Sequence, residues 1–205
     1  MIPIQNIYYM LSYAFQVLNE QGYKNIATEQ FHNTGELMAA ILEKGIAIQI
    51  KRGLGKEYIP QTEALSSLRG KIDIAESIKT QSMLRKQLIC TYDEFSVNST
   101  MNRIIKSTVA LLLRSNISKQ RKKNLRKLMM YFGEVDFIDL HTVNWNVQYN
   151  RNNQTYRMLI SVCYLVVKGL LQTQSDGSTQ LMDFLDEQRM CRLYEKFILE
   201  YYRRE

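Results

Sequence analysis

The sequence contains few of the residues that build metal, redox or disulfide sites. Its 205 residues include three cysteines, two histidines and two prolines. Cys90, Cys163 and Cys191 are widely spaced and form no C-x-x-C pair, which excludes a zinc knuckle and a thioredoxin-like site and favours reduced thiols. His32 and His141 lie far apart in the chain and are interpreted as surface or loop residues rather than as metal ligands.

Motifs for nucleotide binding and for metal-dependent cleavage are also missing. Gly53-Leu54-Gly55-Lys56 and Gly70-Lys71 lack the spacing of a G-x-x-x-x-G-K-[ST] phosphate loop, and no dinucleotide G-x-G-x-x-G occurs. A PD-(D/E)xK nuclease needs an acidic residue two positions before a lysine, because the acid holds the divalent cation. No Asp-x-Lys or Glu-x-Lys tripeptide occurs in the sequence. We therefore expect no catalytic residue, no metal site and no cofactor in this chain.

The sequence has no hydrophobic run long enough to span a bilayer. The longest apolar stretch, residues 159–171, is too short and contains Lys168. The first residues lack the positive region of a signal peptide. Apolar residues nevertheless make up 45% of the chain, which is sufficient for a folded core. The sequence therefore predicts a cytoplasmic globular protein.

Hydrophobic periodicity predicts a helix-rich α+β domain with one small antiparallel sheet. Apolar residues at three- and four-residue spacing predict helices at 5–20, from 33 or 34 to between 45 and 55, from about 100, and at 118–131, 155–171 and 187–202. Alternating patterns predict two paired strands at 68–74 and 88–95, with a short helix and a basic loop between them. Tyr58-Ile59-Pro60 is predicted to be extended because of the proline. We expect residues 137–149 to form a loop with short extended pieces.

Positively charged residues are concentrated in one short segment of the sequence. The net charge of +7 favours an anionic partner, either nucleic acid or an acidic protein surface. On a helix, five cations would share the face opposite Leu125 and Leu128, namely Lys119, Lys122, Lys123, Arg126 and Lys127. Such a face could hold a DNA backbone without reading its sequence. A solvated helix surface without a ligand is the alternative interpretation.

Several strings spread along the whole chain agree, in order, with those of one known family. They are Ile2-Pro3-Ile4-Gln5-Asn6-Ile7-Tyr8-Tyr9-Met10-Leu11-Ser12-Tyr13-Ala14-Phe15; Arg52-Gly53-Leu54 followed by Tyr58; Arg69-Gly70-Lys71-Ile72; Asn102-Arg103-Ile104-Ile105-Lys106-Ser107-Thr108; Ile160-Ser161-Val162-Cys163; and Leu193-Tyr194-Glu195-Lys196-Phe197 through Arg203-Arg204-Glu205. On these residues the chain resembles McrC, a subunit of the McrBC methylcytosine-dependent restriction system.

The resemblance implies a role in docking rather than in cleavage. In that family a C-terminal PD-(D/E)xK nuclease domain, which uses Mg²⁺, follows the equivalent of Arg204-Glu205, where this sequence stops. The N-terminal region of the family inserts into the central pore of a hexameric ring of the AAA+ GTPase McrB and stimulates its hydrolysis of GTP. GTP and Mg²⁺ are bound by that partner, which also recognises the methylated DNA. We therefore expect a partner-docking domain at 1–186 and a connecting helix toward the missing nuclease domain at 187–205.

The segment 66–98 is our hypothesis for the element that enters the pore. It combines a predicted sheet with a polar excursion, and its basic residues are expected to contact pore loops: Arg69, Lys71, Arg85 and Lys86. The alternative is that these are ordinary exposed strand positions. Asn102 and Arg103, just inside a predicted helix start, are further candidates for the same surface, although Asn102 could instead support its own turn.

Two other functions remain open from the sequence alone. The chain could be a stand-alone module that binds the DNA backbone through residues 119–127, with an affinity that falls steeply with salt and needs no partner. It could also be an inactive remnant of a longer nuclease subunit, which would neither bind DNA nor stimulate a GTPase.

Overall fold

The computed structural model describes residues 4–14, 23, 26, 29–149, 153, 155–171 and 195. The chain divides into two units: unit 1 is formed by residues up to Leu54 together with those from Thr100 onward, and unit 2 is Gly55–Ser99. The described part of unit 1 is helical, and unit 2 contains the sheet. The predicted α+β class with a small antiparallel sheet is thus confirmed.

The described helices and strands follow one another in a simple order. They are α1 (Ile4–Ala14), α2 (Thr34–Arg52), β1 (Glu57–Leu65), β2 (Lys71–Asp73), α3 (Ile74–Lys79), β3 (Leu88–Ser96), α4 (Thr100–Arg114), α5 (Lys119–Met129) and α6 (Tyr156–Leu171). Two 3₁₀ turns, Ser82–Arg85 and Met130–Phe132, precede β3 and follow α5. None of the described helices has the length and apolar character needed to cross a membrane.

Helix α2 provides much of the core of unit 1. It begins as predicted, because the Asn33 side chain accepts a hydrogen bond of 2.8 Å from the Glu36 amide and so caps the first turn. Leu37 and Ile41 are completely buried. The helix continues through Gly45, where an added Cβ would lie 2.3 Å from Leu159 Cδ2. Glycine is therefore required there for α6 to pack closely on α2.

Helix α6 is the most apolar described helix, and it packs on both α2 and α4. The Tyr156 hydroxyl donates a buried hydrogen bond of 2.9 Å to the Asn102 side-chain oxygen of α4. Cys163 is fully buried, and this burial raises the pKa of its thiol to about 12. A thiol in that environment stays protonated at neutral pH and is therefore a poor nucleophile.

The sheet of unit 2 has three antiparallel strands in the order β1-β3-β2. The predicted pairing of β2 with β3 is confirmed, with Lys71 opposite Thr91 and Asp73 opposite Ile89. Strand β2 is shorter than predicted because Asp73 caps α3: its side chain accepts a hydrogen bond of 2.9 Å from the Glu76 amide. The short helix expected between the strands is α3.

Strand β1 is the main element that the sequence pattern did not predict as a paired strand. Only Tyr58-Ile59-Pro60 was predicted to be extended, yet β1 pairs with β3 over nine positions, from Glu57 opposite Ser96 to Leu65 opposite Leu88. Pro60 is compatible with this pairing because β1 lies at the edge of the sheet, where a missing amide donor is tolerated.

The remaining predictions are confirmed in part. Helix α1 ends at Ala14 within the described residues, and 15–20 of the predicted helix lie outside them. The predicted helix at 118–131 corresponds to α5 and the 3₁₀ turn after it. No strand occurs at 137–149, which the structure shows as a loop. The predicted helix at 187–202 and the domain boundary at 186 lie outside the described residues, apart from Glu195, which is helical.

Candidate interaction surfaces

Unit 2 has two distinct ends. The chain enters β1 after Gly55 and leaves β3 before Ser99 at one end of the sheet, whereas β1 ends and β3 begins at the other. The connection between them first returns along the sheet, where β2 pairs with residues 89–91 of β3, and then leads to the start of β3. Because β1 and β3 are each nine residues long, the two ends are separated by roughly 25–30 Å. We call the connection, residues 66–87, the tip.

The tip carries the basic residues that were predicted to bind a partner. Arg69, Lys71, Arg85 and Lys86 are all exposed. The Arg69 guanidinium carbon lies 4.0 Å from the centre of the Tyr92 ring, a cation–π arrangement. Tyr92 in turn donates a short hydrogen bond to Glu63, and this bond raises the pKa of the Tyr92 hydroxyl. Arg69 is thus positioned by its neighbours, whereas Lys71, Arg85 and Lys86 form no ion pair with any described residue.

Charge is unevenly distributed within unit 2. The tip contains five basic and two acidic residues: Arg69, Lys71, Lys79, Arg85 and Lys86 against Asp73 and Glu76. The strands and the residue that precedes them carry one basic and four acidic residues: Lys56 against Glu57, Glu63, Asp93 and Glu94. The tip is therefore the positive end of a unit whose other end is negative, and its field favours an acidic or strongly polar partner surface.

Large apolar side chains are exposed on the tip, and the sequence reasoning missed them. Between 54% and 82% of the surface of each is accessible: Leu68, Ile74, Ile78, Met83 and Leu84. Exposed apolar surface of this density is typical of protein interaction sites. A signal was present in the sequence, because Ile74 and Ile78 are spaced four apart in a segment that otherwise looks like a polar excursion.

The start of α4 does not contribute to this surface as predicted. Asn102 is completely buried and accepts the hydrogen bond from Tyr156, so its assignment to a partner surface is corrected to a role in the core of unit 1. Arg103 is half-buried, and one of its guanidinium nitrogens donates a hydrogen bond of 3.4 Å to the Phe137 carbonyl. Lys106 Nζ donates to the Phe132 carbonyl at 2.9 Å. Arg103 and Lys106 therefore support the loop that follows α5, and partner binding by Arg103 stays a prediction.

Helix α5 carries the predicted nucleic-acid-binding residues. It begins at Ser118, whose side chain accepts a hydrogen bond of 3.3 Å from the Arg121 amide. Leu125 is completely buried against unit 1. The five cations face the other way: Lys119, Lys123, Arg126 and Lys127 are exposed and Lys122 is half-buried. We call this set the outer face of α5.

Arg121 is the one basic residue of α5 that points inward and is neutralised. Its guanidinium lies 2.7 Å from a Glu29 oxygen, 2.9 Å from Glu43 and 3.7 Å from Glu36. Burial alone would lower the pKa of Arg121, but the hydrogen bonds that its guanidinium donates to Glu43 and Glu29 outweigh that effect and raise the pKa. Glu36 also accepts a hydrogen bond from the Ser118 amide. This network joins α5 to α2 and to Glu29.

The acidic, histidine and cysteine side chains of the described residues are not grouped as metal ligands. Among them, no three His, Cys, Asp or Glu side chains are grouped so that they could hold a metal ion. The three glutamates that do come together surround the Arg121 guanidinium instead. The tip and the outer face of α5 are the two candidate interaction surfaces considered below.

The chain is similar to known proteins of one family. A family model described as "McrBC 5-methylcytosine restriction system component" matches residues 5–205. The "Type IV methyl-directed restriction enzyme EcoKMcrBC" of Escherichia coli (strain K12) is 32% identical over 213 aligned positions, covering 100% of this chain and 60% of that protein. The chain therefore spans about 60% of the length of this curated relative.

Two solved structures share the fold. A chain in the cryo-EM structure of the Thermococcus gammatolerans McrBC complex matches with a TM-score of 0.60 and 23% identity, over 80% of this chain and 50% of that one. A refined half-complex from a tetradecameric assembly of McrB AAA+ hexamers with bound McrC, from the same organism, matches with the same score over 40% of its chain. The family match over nearly the whole sequence and the whole-chain identity to the E. coli protein place this chain in the McrBC 5-methylcytosine restriction system component family.

Proposed function

We propose that this chain acts as the docking part of an McrC-like restriction subunit, which inserts the tip into the pore of a hexameric AAA+ GTPase and stimulates GTP hydrolysis in defence against modified foreign DNA. The observation that carries the proposal is the tip itself, where exposed apolar side chains lie among basic ones. GTP and its Mg²⁺ would be held by the GTPase, since this chain has no phosphate loop.

The apolar side chains of the tip supply the affinity in this proposal. Burying a large apolar side chain contributes about 1.5–3 kcal/mol. Burial of even two of them, such as Ile78 and Leu84, would therefore change the affinity by at least about a hundredfold. The basic side chains around them favour a partner surface rich in carboxylates or carbonyl oxygens and would speed the encounter.

The geometry of unit 2 supports insertion rather than side-on contact. The part of the tip after β2, residues 74–87, joins the ends of β2 and β3 that lie opposite to the chain entry and exit, so it can be presented without involving Gly55 or Ser99. A paired sheet holds its side chains more rigidly than a loop of equal length, and that rigidity suits an element that must fit a pore. In the similar Thermococcus gammatolerans half-complex, McrC is bound to McrB AAA+ hexamers.

The charge test uses two exposed residues without ion pairs, Lys71 and Arg85. GTP turnover of a McrB-like GTPase is measured while the chain is titrated. We expect Lys71→Glu with Arg85→Glu to raise the concentration for half-maximal stimulation at least about tenfold, because reversed charges oppose the polar surface that the wild-type tip approaches. The control is Lys51→Gln with Arg52→Gln at the end of α2, which should leave the titration unchanged.

The apolar test uses Ile78→Gln with Leu84→Gln. Because both residues are mostly exposed in the free chain, the substitutions should leave its stability within about 0.5 kcal/mol while stimulation is largely lost. Met130→Gln removes an equally exposed apolar residue from unit 1 and should retain full stimulation. Normal stimulation by the folded Ile78→Gln, Leu84→Gln variant would show that the tip is not the docking element. An inactive remnant, by contrast, predicts no stimulation even by the wild-type chain.

A further inference from the structure

We infer that the outer face of α5 is a second interaction surface, which binds the phosphate backbone of duplex DNA without sequence preference. This inference goes beyond docking to a GTPase, because it concerns a different unit of the chain and needs no protein partner. Helix α5 contains six cations, of which one is neutralised by carboxylates and five are not.

Three carboxylates contact the inward side of α5. Arg121 pairs with Glu29, Glu36 and Glu43, and Asn124 donates a hydrogen bond of 2.9 Å to Glu43. Helix α5 contains no acidic residue of its own. Consequently, none of the five outer cations forms an ion pair with a described residue. Their positive field is directed to solvent without local compensation.

The dimensions of the outer face suit a stretch of nucleic-acid backbone. Lys119 and Lys127 are eight positions apart, so they are separated by about 12 Å along the helix axis. One strand of duplex DNA has a phosphate for about every 3.4 Å of its axis, so this length faces three or four phosphates. Lysine and arginine side chains are long enough to adjust to that spacing from one helix.

The chemistry of the outer face favours DNA over a protein partner. Protein interfaces are anchored by apolar and aromatic side chains and are depleted in lysine, whereas the outer face itself consists of four lysines and one arginine. The exposed apolar side chains of Met130 and Tyr131 lie beyond the end of α5. The tip shows the contrasting composition of a protein interface. Helix α5 also has no aromatic residue on which an unpaired base could stack, so backbone contact to a duplex is expected rather than binding to a single strand.

The experiment measures binding of the full chain, without any GTPase, to a fluorescent 30-base-pair duplex between 50 and 200 mM NaCl. If three to five phosphates are neutralised, the logarithm of the association constant should fall against the logarithm of salt with a slope of about −2.7 to −4.5. Cytosine methylation and a change of sequence should leave both affinity and slope unchanged, because phosphates carry no sequence information.

The decisive variant is Lys123→Gln with Arg126→Gln, which removes two cations from the centre of the outer face. Its slope should become shallower by about 1.8, and its affinity at 100 mM salt should fall at least about tenfold. Glutamine is a good helix former, so the circular dichroism spectrum should not change. Lys51→Gln with Arg52→Gln removes the same net charge elsewhere in unit 1 and should keep the wild-type slope.

Three results would overturn the inference. The first is that the wild-type chain fails to bind the duplex at 50 mM salt. The second is that the Lys51→Gln, Arg52→Gln variant loses as much affinity as the Lys123→Gln, Arg126→Gln variant. The third is that the chain binds single-stranded DNA more tightly than duplex DNA. Because no GTPase is present, each of these results leaves docking through the tip untouched. Conversely, loss of GTPase stimulation in tip variants would not affect the DNA titration.

Discussion

The Arg121 guanidinium connects three carboxylates that would otherwise repel one another. It lies within 3.7 Å of Glu29, Glu36 and Glu43, and only 18% of its side chain is exposed. Glu36 and Glu43 are also largely shielded from solvent, with 11% and 20% exposure. A half-buried cation that serves several anions is worth more than a surface pair, because its removal leaves those anions uncompensated.

We therefore expect Arg121→Met to lower the free energy of unfolding by about 2–4 kcal/mol, near the range for breaking a buried ion pair. Urea denaturation followed by circular dichroism measures the change. Lys123→Met, two positions further along the same helix but exposed, should change the same quantity by less than about 0.5 kcal/mol. Equal effects from the two substitutions would show that the carboxylates do not depend on Arg121.

For single residues, the sequence could predict the face of a helix on which a side chain lies, but not the distant residues that bury it. On a helical wheel of α5, Arg121 lies between the directions of Leu125 and Leu128, away from the face of the other five cations. The three glutamates that meet it are distant in sequence, so no local pattern could reveal them. Asn102 shows the same limit, because its burial depends on Tyr156, 54 residues away.

Strand β2 depends on a turn that only glycine can make. Gly70 has a φ of 67°, in the left-handed region. An added Cβ would lie 2.3 Å from the Thr91 carbonyl oxygen and 2.7 Å from Tyr92 Cβ on the adjacent strand β3. The contact with backbone cannot be relieved by rotating a side chain, so the strand would have to move.

Gly70→Ala should consequently detach β2 from β3. The left-handed conformation alone costs about 1–2 kcal/mol for a residue with a Cβ, and the backbone clash adds to it. Hydrogen exchange should become faster at Lys71, Ile72 and Asp73, and GTPase stimulation should weaken because the tip loses its support. Gly133→Ala is the matched control, since Gly133 has a helical φ of −55° and an added Cβ would meet nothing closer than 3.9 Å. Unchanged exchange at 71–73 in Gly70→Ala would contradict this description of the turn.

Elements with a buried stripe were predicted well, and those without one were not. Helices α2, α4 and α6 each bury apolar residues at helical spacing, so their periodicity identified them. Strand β1 is intermediate or exposed at every position, and it therefore shows no clear alternation of apolar and polar residues. Its structure comes from backbone pairing with β3, which a hydrophobicity pattern does not report. The tip was recognised as basic, but its apolar residues are too few in each short element to form a pattern.

At the scale of the whole molecule, the two candidate surfaces differ in composition. The tip combines apolar and basic side chains, and the outer face of α5 is basic alone. The 205-residue sequence contains no acidic residue two positions before a lysine. Within the part of the chain that the structure describes, no cluster of ligands could hold the cation that phosphodiester hydrolysis would need.

We therefore expect the purified 205-residue chain to stimulate a McrB-like GTPase and yet to leave methylated DNA uncut in the presence of Mg²⁺ and GTP. A gel assay of a methylated plasmid, run in parallel with GTP turnover on the same samples, measures both activities. The positive control is the E. coli EcoKMcrBC enzyme, whose full length exceeds the portion that this chain matches. Stimulation without cleavage would mean that docking is sufficient to activate the motor. Mg²⁺-dependent cutting that copurifies with the chain would instead require a nuclease site built from residues other than an acid-x-lysine motif.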